Sequence, residues 1–371
     1  MLPNHHHEDL FYQLALSFVP QVGPKRGRAL IAQFGTAKRI FEANAKELGR
    51  ADGLGPVATS AFKDPLPFRL AEKELKFCEE KNIRIIFFNT AGYPRRFMNC
   101  EDAPLLLYYK GAADLNADKI VAIIGTRKNT DYGMRCTEDL VEGLSQIPDI
   151  IIVSGLAMGI DTIAHKASLR CNLPTVGVVG HSLDRIYPYT NEDLAREMQV
   201  QGGILSEFPS GTKPDRQNFP MRNRLVAGMS DVTVLVESEV KGGGMITAYV
   251  AHSYGRDVAA FPGRVFDSRS GGPNLLIKRQ VAALINGPED LTELMGWNGV
   301  KERRSVQQQL FLDLLPEEQI IVDLLRDKDG VHTDDLLSST GFSNTQLASI
   351  LLQLEMKDLV RVLPGKSYRL N

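Results

Sequence analysis

Cysteine is scarce in this chain, and its few copies are not paired. Cys78, Cys100, Cys136 and Cys171 stand far apart, and no Cys-x-x-Cys motif occurs. Zinc sites and the disulfide frameworks of short secreted proteins need closely spaced or matched cysteines. The sequence therefore predicts no metal site and no disulfide framework, and it favours a reducing cytoplasm.

Long apolar runs are missing as well. No run approaches the roughly 20 residues that cross a bilayer, and the N-terminus lacks a charged segment followed by an apolar core. We therefore expect a cytoplasmic protein without membrane contact. The run His5-His6-His7 can bind a metal, but we interpret it as a short exposed tail.

Neither sign of charge is in excess. The 371 residues contain 43 Lys and Arg against 45 Asp and Glu, which gives a net charge of −2. Any affinity for a nucleic acid must therefore come from clustered basic residues. Hydrophobic residues make up 43% of the chain, which excludes a largely disordered protein, and the length predicts two or three cores.

The chain divides into four predicted segments. Residues 1–70 show short helical stretches with two glycine turns, at 20–31 and 52–58, that fit a helix-hairpin-helix pattern. The N–H groups of such turns can hold phosphates, although many hairpins only pack. After the middle segment comes a polar linker at 297–315. Residues 316–371 then show three helical patterns and a hairpin, which predict a winged helix.

The middle segment, residues 80–296, alternates apolar runs with amphipathic stretches. Near-continuous apolar strands indicate burial on both faces, as in a parallel sheet covered by helices. The predicted fold class is α/β, with an extended Rossmann-like, doubly wound, mostly parallel sheet flanked by the helical domain and the winged helix. The predicted strands are the accessory strands 83–88 and 105–109, followed by 120–124, 150–153, 175–179, 203–206, 232–236, 258–261 and 282–285.

Ligands of such sheets bind beyond the carboxyl ends of the strands, where the loops of this chain carry unusual residues. Gly125-Thr126-Arg127 follows the first core strand. Its glycine admits an anion, and its arginine supplies a planar, bidentate donor. The motif is neither G-x-G-x-x-G nor a P-loop, so we expect no nucleotide cofactor.

The second and third loops carry candidate loop-shaping residues. Gly155 and Gly159 allow a tight turn, Asp161 occupies an expected helix N-cap position, and His165 lies one turn later. Asp161 and His165 can act as an acid–base pair, but a structural tie is the interpretation we favour. Asp184 in the third loop has no convincing nucleophile beside it, so we predict no catalytic residue.

The most basic stretch lies between two predicted strands, from residue 213 to 229. Its aromatic ring can stack on a base, and its arginines can neutralise phosphates, although Asn223 and Arg224 can instead be buried braces. A glycine turn after the next strand adds an anion site at a helix start. A small phosphorylated metabolite suits these residues equally well. The candidate DNA contacts are Gly125, Thr126, Arg127, Arg216, Phe219, Arg222, Asn223, Arg224, Lys241, Gly242, Gly243 and Gly244.

Taken in order, these motifs resemble the DprA family, also called Smf. Each motif is weak alone, but the ordered series across residues 80–296 is specific. The motifs are Gly125–Arg127, Ser154–Asp161 with His165, Leu183–Asp184, Tyr187–Pro188, Ser206–Glu207, Phe219–Arg224, Gly244–Ala248, Pro262–Gly263 and Gly272–Leu276.

The resemblance implies a non-enzymatic protein that binds single-stranded DNA, protects incoming DNA and loads the RecA recombinase during natural transformation and recombination. It places DNA contacts on Arg127, Arg216, Phe219 and Lys241, and it implies a homodimer through the Rossmann-like domain. The family usually has Ser-Gly-Ser where this chain has Gly242–Gly244. The two missing hydroxyls predict binding that is retained but weaker.

Two other classes of function stay open. One is a nucleotide-processing enzyme of the lysine-decarboxylase-like phosphoribohydrolase type, with Glu207 or Glu237 as the acid. Its Pro-Gly-Gly-x-Gly-Thr-x-x-Glu signature is absent from the sequence. The other is an interaction adaptor that docks through its winged helix.

We expect the winged helix to contact protein rather than duplex DNA. Residues 316–371 carry six Lys and Arg against nine Asp and Glu, and the predicted recognition helix at 345–356 begins without a basic residue. A recognition helix normally brings basic or amide side chains to the major groove. In a gel-shift assay, the fragment 316–371 should leave duplex DNA unshifted, and a retained shift would contradict this expectation.

Overall fold

The structure is a computed structural model that describes residues 5–49, 54, 56–297, 314–326, 328–357 and 359–371. The second predicted hairpin turn and the predicted linker fall mostly outside these ranges. The run His5–His7 begins the first helix, and its side chains lie outside the described set.

Short helices at the N-terminus cover one edge of the central sheet. Within the described residues they are α1 (His5–Ser17), α2 (Pro24–Phe34), α3 (Ala37–Glu42), α4 (Ala45–Leu48), α5 (Pro56–Ala61) and α6 (Leu66–Glu80). Their buried side chains form a core that continues onto the first strands through Phe87 and Leu106. Helix α2 packs closely against the residue that precedes β2, because a Cβ built on Gly27 would lie 2.7 Å from Leu105 Cδ2. The helical region therefore extends past residue 70 and shares its core with the sheet.

A mixed sheet occupies the centre of the molecule, as the apolar runs predict. Its described strands are β1 (Arg84–Phe87), β2 (Leu106–Gly111), β3 (Lys119–Ile124), β4 (Ile150–Ser154), β5 (Thr175–Val178), β6 (Gly203–Ser206), β7 (Val232–Leu235), β8 (Asp257–Ala260) and β9 (Ala283–Leu284). They run in the order β1-β2-β6-β5-β4-β3-β7-β8-β9. The strands from β3 onward pair in parallel, whereas β1 and β2 are antiparallel additions. The predicted fold class is confirmed.

Helices cover both faces of this sheet. They are α7 (Asp131–Leu144), α8 (Ile160–Arg170), α9 (Glu192–Gln201), α10 (Asn218–Gly228), α11 (Gly243–Ser253), α12 (Gly271–Lys278) and α13 (Pro288–Leu294). Each face of the sheet has its own hydrophobic core, and strand β3 contributes to both. On one face, Ile120 and Ala122 pack with α10 and α11. On the other face, Val121 and Ile123 pack with α7 and α8. This two-sided burial explains the unbroken apolar sequence of the strand.

The order of the strands creates a crevice beside β3. After β3 the chain builds β4, β5 and β6 on one side, and it then returns to place β7 on the other side. The loops that follow β3 and β7 therefore diverge at the carboxyl edge of the sheet. Such a switch point is where open α/β sheets bind ligands.

The C-terminal segment is a winged helix, as predicted. It contains α14 (Pro316–Leu325), α15 (Thr333–Thr340) and α16 (Asn344–Met356), with strands β10 (Val331–His332), β11 (Val360–Leu363) and β12 (Ser367–Leu370). Among the described helices of the whole chain, none combines the length and apolar character needed to cross a bilayer.

A buried ion pair and a partly exposed one join the winged helix to the central domain. Arg256 Nη1 lies 3.5 Å from Asp334 Oδ2, and Arg95 Nη1 lies 2.9 Å from Asp335 Oδ1. Between them, burial lowers the pKa of His332 to about 4. Removing one member of a buried pair leaves an uncompensated charge, so these contacts tie the two domains together.

His165 is a buried tie between α8 and β5. Its Nδ1 lies 2.7 Å from Thr175 Oγ1, and its Nε2 has no hydrogen-bond partner within the described residues. Burial, reinforced by the charge of Arg222, lowers the pKa of His165 from 6.5 to about 3. The folded protein therefore keeps this imidazole neutral.

The dependence of stability on pH should show the contribution of His165. Between pH 6.5 and about 3 the unfolded chain binds a proton on this residue and the folded chain does not, so stability falls as the pH is lowered. From pH 6.5 to pH 5 the contribution is about 2 kcal/mol. Urea unfolding at pH 7 and pH 5 should show a smaller loss for His165→Asn than for the wild type. Equal losses of unfolding free energy in the two proteins would show that His165 does not cause the pH dependence.

Candidate nucleic-acid interface

Three glycine-containing loops meet at the crevice between β3 and β7. A Cβ built on Gly244, at the start of α11, would lie 3.8 Å from the Cα of Gly125 in the loop after β3. A Cβ on Gly125 would lie 2.5 Å from Cγ1 of Ile160, where α8 begins. Because these glycines carry no side chain, the three loops pack closely against one another.

The loop that carries Arg127 is held from two sides. Thr126 N donates to Glu237 O at 2.7 Å, and Ile160 N donates to Thr126 O at 3.2 Å. Gly159 has a φ of +80°, and a Cβ there would lie 2.3 Å from Thr126 O. Only glycine fits this position. Arg127 is consequently an exposed side chain on a well-supported loop.

Arg127, Phe219 and Tyr187 form a cation–aromatic cluster at the crevice. The guanidinium carbon of Arg127 lies 5.2 Å from the ring centroid of Phe219, within the range of a cation–π interaction. The rings of Phe219 and Tyr187 are 6.2 Å apart and tilted by 42°. Tyr187 is 47% exposed. It was not among the predicted DNA contacts, because only the fold brings the loop after β5 against the start of α10.

Polar contacts organise the loop that carries Tyr187. His181 Nε2 accepts a hydrogen bond from Tyr187 N at 3.2 Å, and its Nδ1 lies 2.8 Å from Ser182 O. Burial lowers the pKa of His181. Asp184 accepts from Ser182 Oγ at 2.5 Å, and its hydrogen bond from Arg185 lowers its pKa to about 2. Asp184 is thus engaged within its own loop.

Arg222 is buried, which corrects the prediction that it contacts DNA. The residue is 5% exposed, and its Nη1 donates to Val178 O at 2.8 Å. A Cβ on Gly155 would lie 1.7 Å from that Nη1, so Gly155 makes room for the guanidinium. Burial lowers the pKa of Arg222 and raises that of Asp161, and the opposite charge of each partner offsets part of the shift.

Asp161 shapes its loop from a position inside α8. The helix begins at Ile160 with Gly159 as its N-cap, so Asp161 is not the N-cap that we predicted. Its carboxylate accepts hydrogen bonds from Gly155 N and Ala157 N at 3.1 and 3.3 Å. Since His165 contacts Thr175 instead, the two residues do not form an acid–base pair. The left-handed turn at Gly159 starts the helix earlier than the sequence indicates.

Arg224 braces α10 against the end of β6. Its guanidinium contacts the carboxylate of Glu207 and the carbonyl oxygen of Asp102. Burial raises the pKa of Glu207 to about 7, and the charge of Arg224 opposes this shift. The half-buried Asn223 lies beside Arg224 on the same helix. The buried-brace interpretation therefore describes Arg224 better than the predicted phosphate contact.

The other two basic residues among the predicted DNA contacts, Arg216 and Lys241, are exposed. Arg216 lies in the loop before α10, three residues ahead of Phe219, and Lys241 directly precedes Gly242, the N-cap of α11. Neither side chain has an ion-pair or hydrogen-bond partner in the described part of the chain. A Cβ at Gly243 would meet no atom within 4 Å. The start of α11, whose first N–H groups lack helical partners, is therefore open to a ligand.

Sequence comparisons match this architecture. The profile for DNA recombination-mediator protein A covers residues 84–296, and the profile for the DprA winged helix domain covers residues 312–366. Protein Smf of Escherichia coli is 32% identical over 311 residues, which are 82% of each chain. Protein Smf of Synechocystis is 36% identical over 259 residues, which are 68% of this chain and 64% of that protein. This chain thus spans just under two thirds of the Synechocystis relative.

Two solved structures are similar in both fold and sequence. DNA processing protein A of Streptococcus pneumoniae matches with a TM-score of 0.65 and 30% identity, over 76% of this chain and 95% of that one. The Helicobacter pylori protein, whose structure concerns its single-stranded DNA binding mode, matches with a TM-score of 0.51 and 32% identity, over 56% of this chain and 93% of that one. The chain therefore belongs to the DprA family of DNA recombination-mediator proteins, also called Smf.

Proposed function

We propose that this chain binds single-stranded DNA along the carboxyl edge of its central sheet. The observation that carries the proposal is the cation–π contact of Arg127 with Phe219, beside Tyr187, at the crevice. These groups offer flat faces to unpaired bases, while Lys241 and the start of α11 face the phosphates. The single-stranded DNA binding mode of the Helicobacter pylori relative supports the same role.

Binding of this kind is tolerant of sequence. Ring faces and phosphate contacts are common to all nucleotides, and none of the groups in the cluster selects a base edge. Duplex DNA binds less well, because its bases are stacked on one another and cannot reach Phe219. Salt weakens the complex, since each neutralised phosphate releases counterions.

We extend the proposal to protection of incoming DNA and loading of the RecA recombinase during natural transformation and recombination. This extension rests on family membership. A homodimer through the Rossmann-like domain belongs to the same proposal. Two crevices on one dimer would engage the same strand and raise the apparent affinity through effective concentration.

The alternative, a phosphoribohydrolase, gains no support from the two acids that it would use. Glu237 is 1% exposed, and its carboxylate accepts hydrogen bonds from Thr130 N at 2.9 Å and Thr130 Oγ1 at 2.5 Å. Glu207 is largely buried against Arg224. Both carboxylates support loops, so neither is presented to a nucleotide in the crevice.

Arg127 should make a large electrostatic contribution to binding. Arg127→Ala should weaken binding of oligo-dT by about tenfold and reduce the slope of log K against log salt by about one. Fluorescence anisotropy at two or more salt concentrations measures both quantities.

The matched control is Arg170→Ala. Arg170 is an exposed arginine at the far end of α8, paired with Glu138 at 2.7 Å. This variant should bind as the wild type does. If Arg127→Ala gave an unchanged isotherm and an unchanged salt slope, the proposed interface would be wrong.

Phe219 should account for the preference for unpaired DNA. Phe219→Ala should lose about 1–3 kcal/mol of binding to a single strand and much less of the weak binding to a duplex of the same length. Phe219→Trp retains a stacking face and should preserve the preference. An equal loss on both substrates in the alanine variant would show that the ring supports the loop rather than a base.

A further inference from the structure

The loop after β8 carries the most exposed large hydrophobic side chain of the described residues. Phe266 is 101% exposed, and its neighbour Val265 is 84% exposed. A large apolar group held in water loses the favourable free energy of burial, and contiguous exposed apolar groups mark binding surfaces. The interface proposed above makes no use of this loop.

This loop lies on the same edge of the sheet as the crevice. Strand β8 pairs in parallel with β7, and β7 pairs in parallel with β3, so their carboxyl ends are aligned. The loop is anchored to the segment after β7, because Ser238 N donates to Arg269 O at 2.7 Å and Gly272 N donates to Ser238 O at 2.8 Å. Phe266 therefore lies in a loop at the same edge of the sheet as Arg127.

The charges around Phe266 favour a polyanion. Arg264 in the same loop and Lys241 in the adjacent loop are exposed, and neither has an ion-pair partner in the described ranges. The carboxylate of Asp267 is engaged with the backbone, where it accepts a hydrogen bond from Arg269 N at 3.0 Å. Arg269 adds a third cation to these two loops, against the two acids of the loops that are not buried, Asp267 and Glu239, so the cations outnumber these acids.

We infer that Val265 and Phe266 form a second base-stacking subsite, which holds a nucleotide of the same single strand beyond Lys241. The inference rests on the proposed function. The strand leaves the cluster of Arg127, Phe219 and Tyr187, passes the start of α11 and reaches Phe266.

The geometry of the sheet sets the length of DNA that this path needs. Two strand spacings, about 10 Å, separate β3 from β8. In DNA, this span corresponds to roughly three phosphates at the spacing found along one strand of a duplex, and to fewer when the single-stranded DNA is extended. Only DNA that continues past the first cluster can reach Phe266.

The test is a length series of oligo-dT, from about 2 nucleotides, which are too short for this path, to about 16 nucleotides, with the full chain. Phe266→Ala should leave binding of the shortest oligonucleotides unchanged and weaken binding of the longest about 5- to 20-fold. Val200→Ala removes another exposed apolar side chain, 79% exposed, at the far end of α9, and it should match the wild type at every length.

A direct readout of stacking comes from Phe266→Trp. Trp297 is the single tryptophan of the sequence, so adding Trp297→Phe leaves the new indole at position 266 as the only tryptophan that fluoresces. Long oligo-dT should quench the fluorescence of the new indole, and this variant should restore the affinity lost in Phe266→Ala.

The outcomes separate the second subsite from the proposed function. If Phe219→Ala weakens binding at every length and Phe266→Ala changes nothing, the second subsite is refuted and the proposed function stands. If neither variant affects binding, both fail. If Phe266→Ala alters the sedimentation of the free protein and the indole is not quenched by DNA, the loop serves self-association and the inference is overturned.

Discussion

The close packing of the Arg127 loop on Gly159 is the contact on which the interface depends. A Cβ on residue 159 would lie only 2.3 Å from Thr126 O, so no side chain fits there, and the φ of +80° suits glycine. This contact places the loop after β3 directly on the start of α8. The exposed side chain of Arg127 then lies over the ring of Phe219. The cation, the ring and the open start of α11 consequently lie along one edge of the sheet.

Helix α10 uses its polar and aromatic residues in two different ways. Phe219, at its start, faces the crevice, whereas Arg222 and Arg224 are engaged inside the protein with Val178 O and with Glu207. A buried arginine that loses its partner leaves an unpaired charge, which typically costs about 3–5 kcal/mol. The basic residues Arg222 and Arg224 therefore serve the stability of the fold, whereas Phe219 belongs to the proposed interface.

A chain with a net charge of −2 can still present a basic edge, because two of the acids near that edge are buried while its cations are exposed. Glu237 accepts hydrogen bonds from Thr130, and Glu207 pairs with Arg224. Arg127 and Lys241 remain exposed. The placement of the charges, rather than the overall composition, thus decides the sign of the potential that a polyanion meets.

The sequence by itself determined the strands, the parallel α/β class and the winged helix, because burial periodicity is a local property that each segment carries in its own residues. It also indicated that Arg127, Phe219 and Lys241 lie at one edge of the sheet, since parallel strands align their carboxyl ends, although Phe219 lies in α10 and not in the predicted loop. Only the tertiary structure decided that Tyr187 joins Phe219, that Arg222 is buried and that His165 bonds to Thr175 instead of Asp161. These outcomes depend on contacts between residues that are far apart in the chain. Such contacts form only when the helices pack on the sheet, so local sequence patterns do not reveal them.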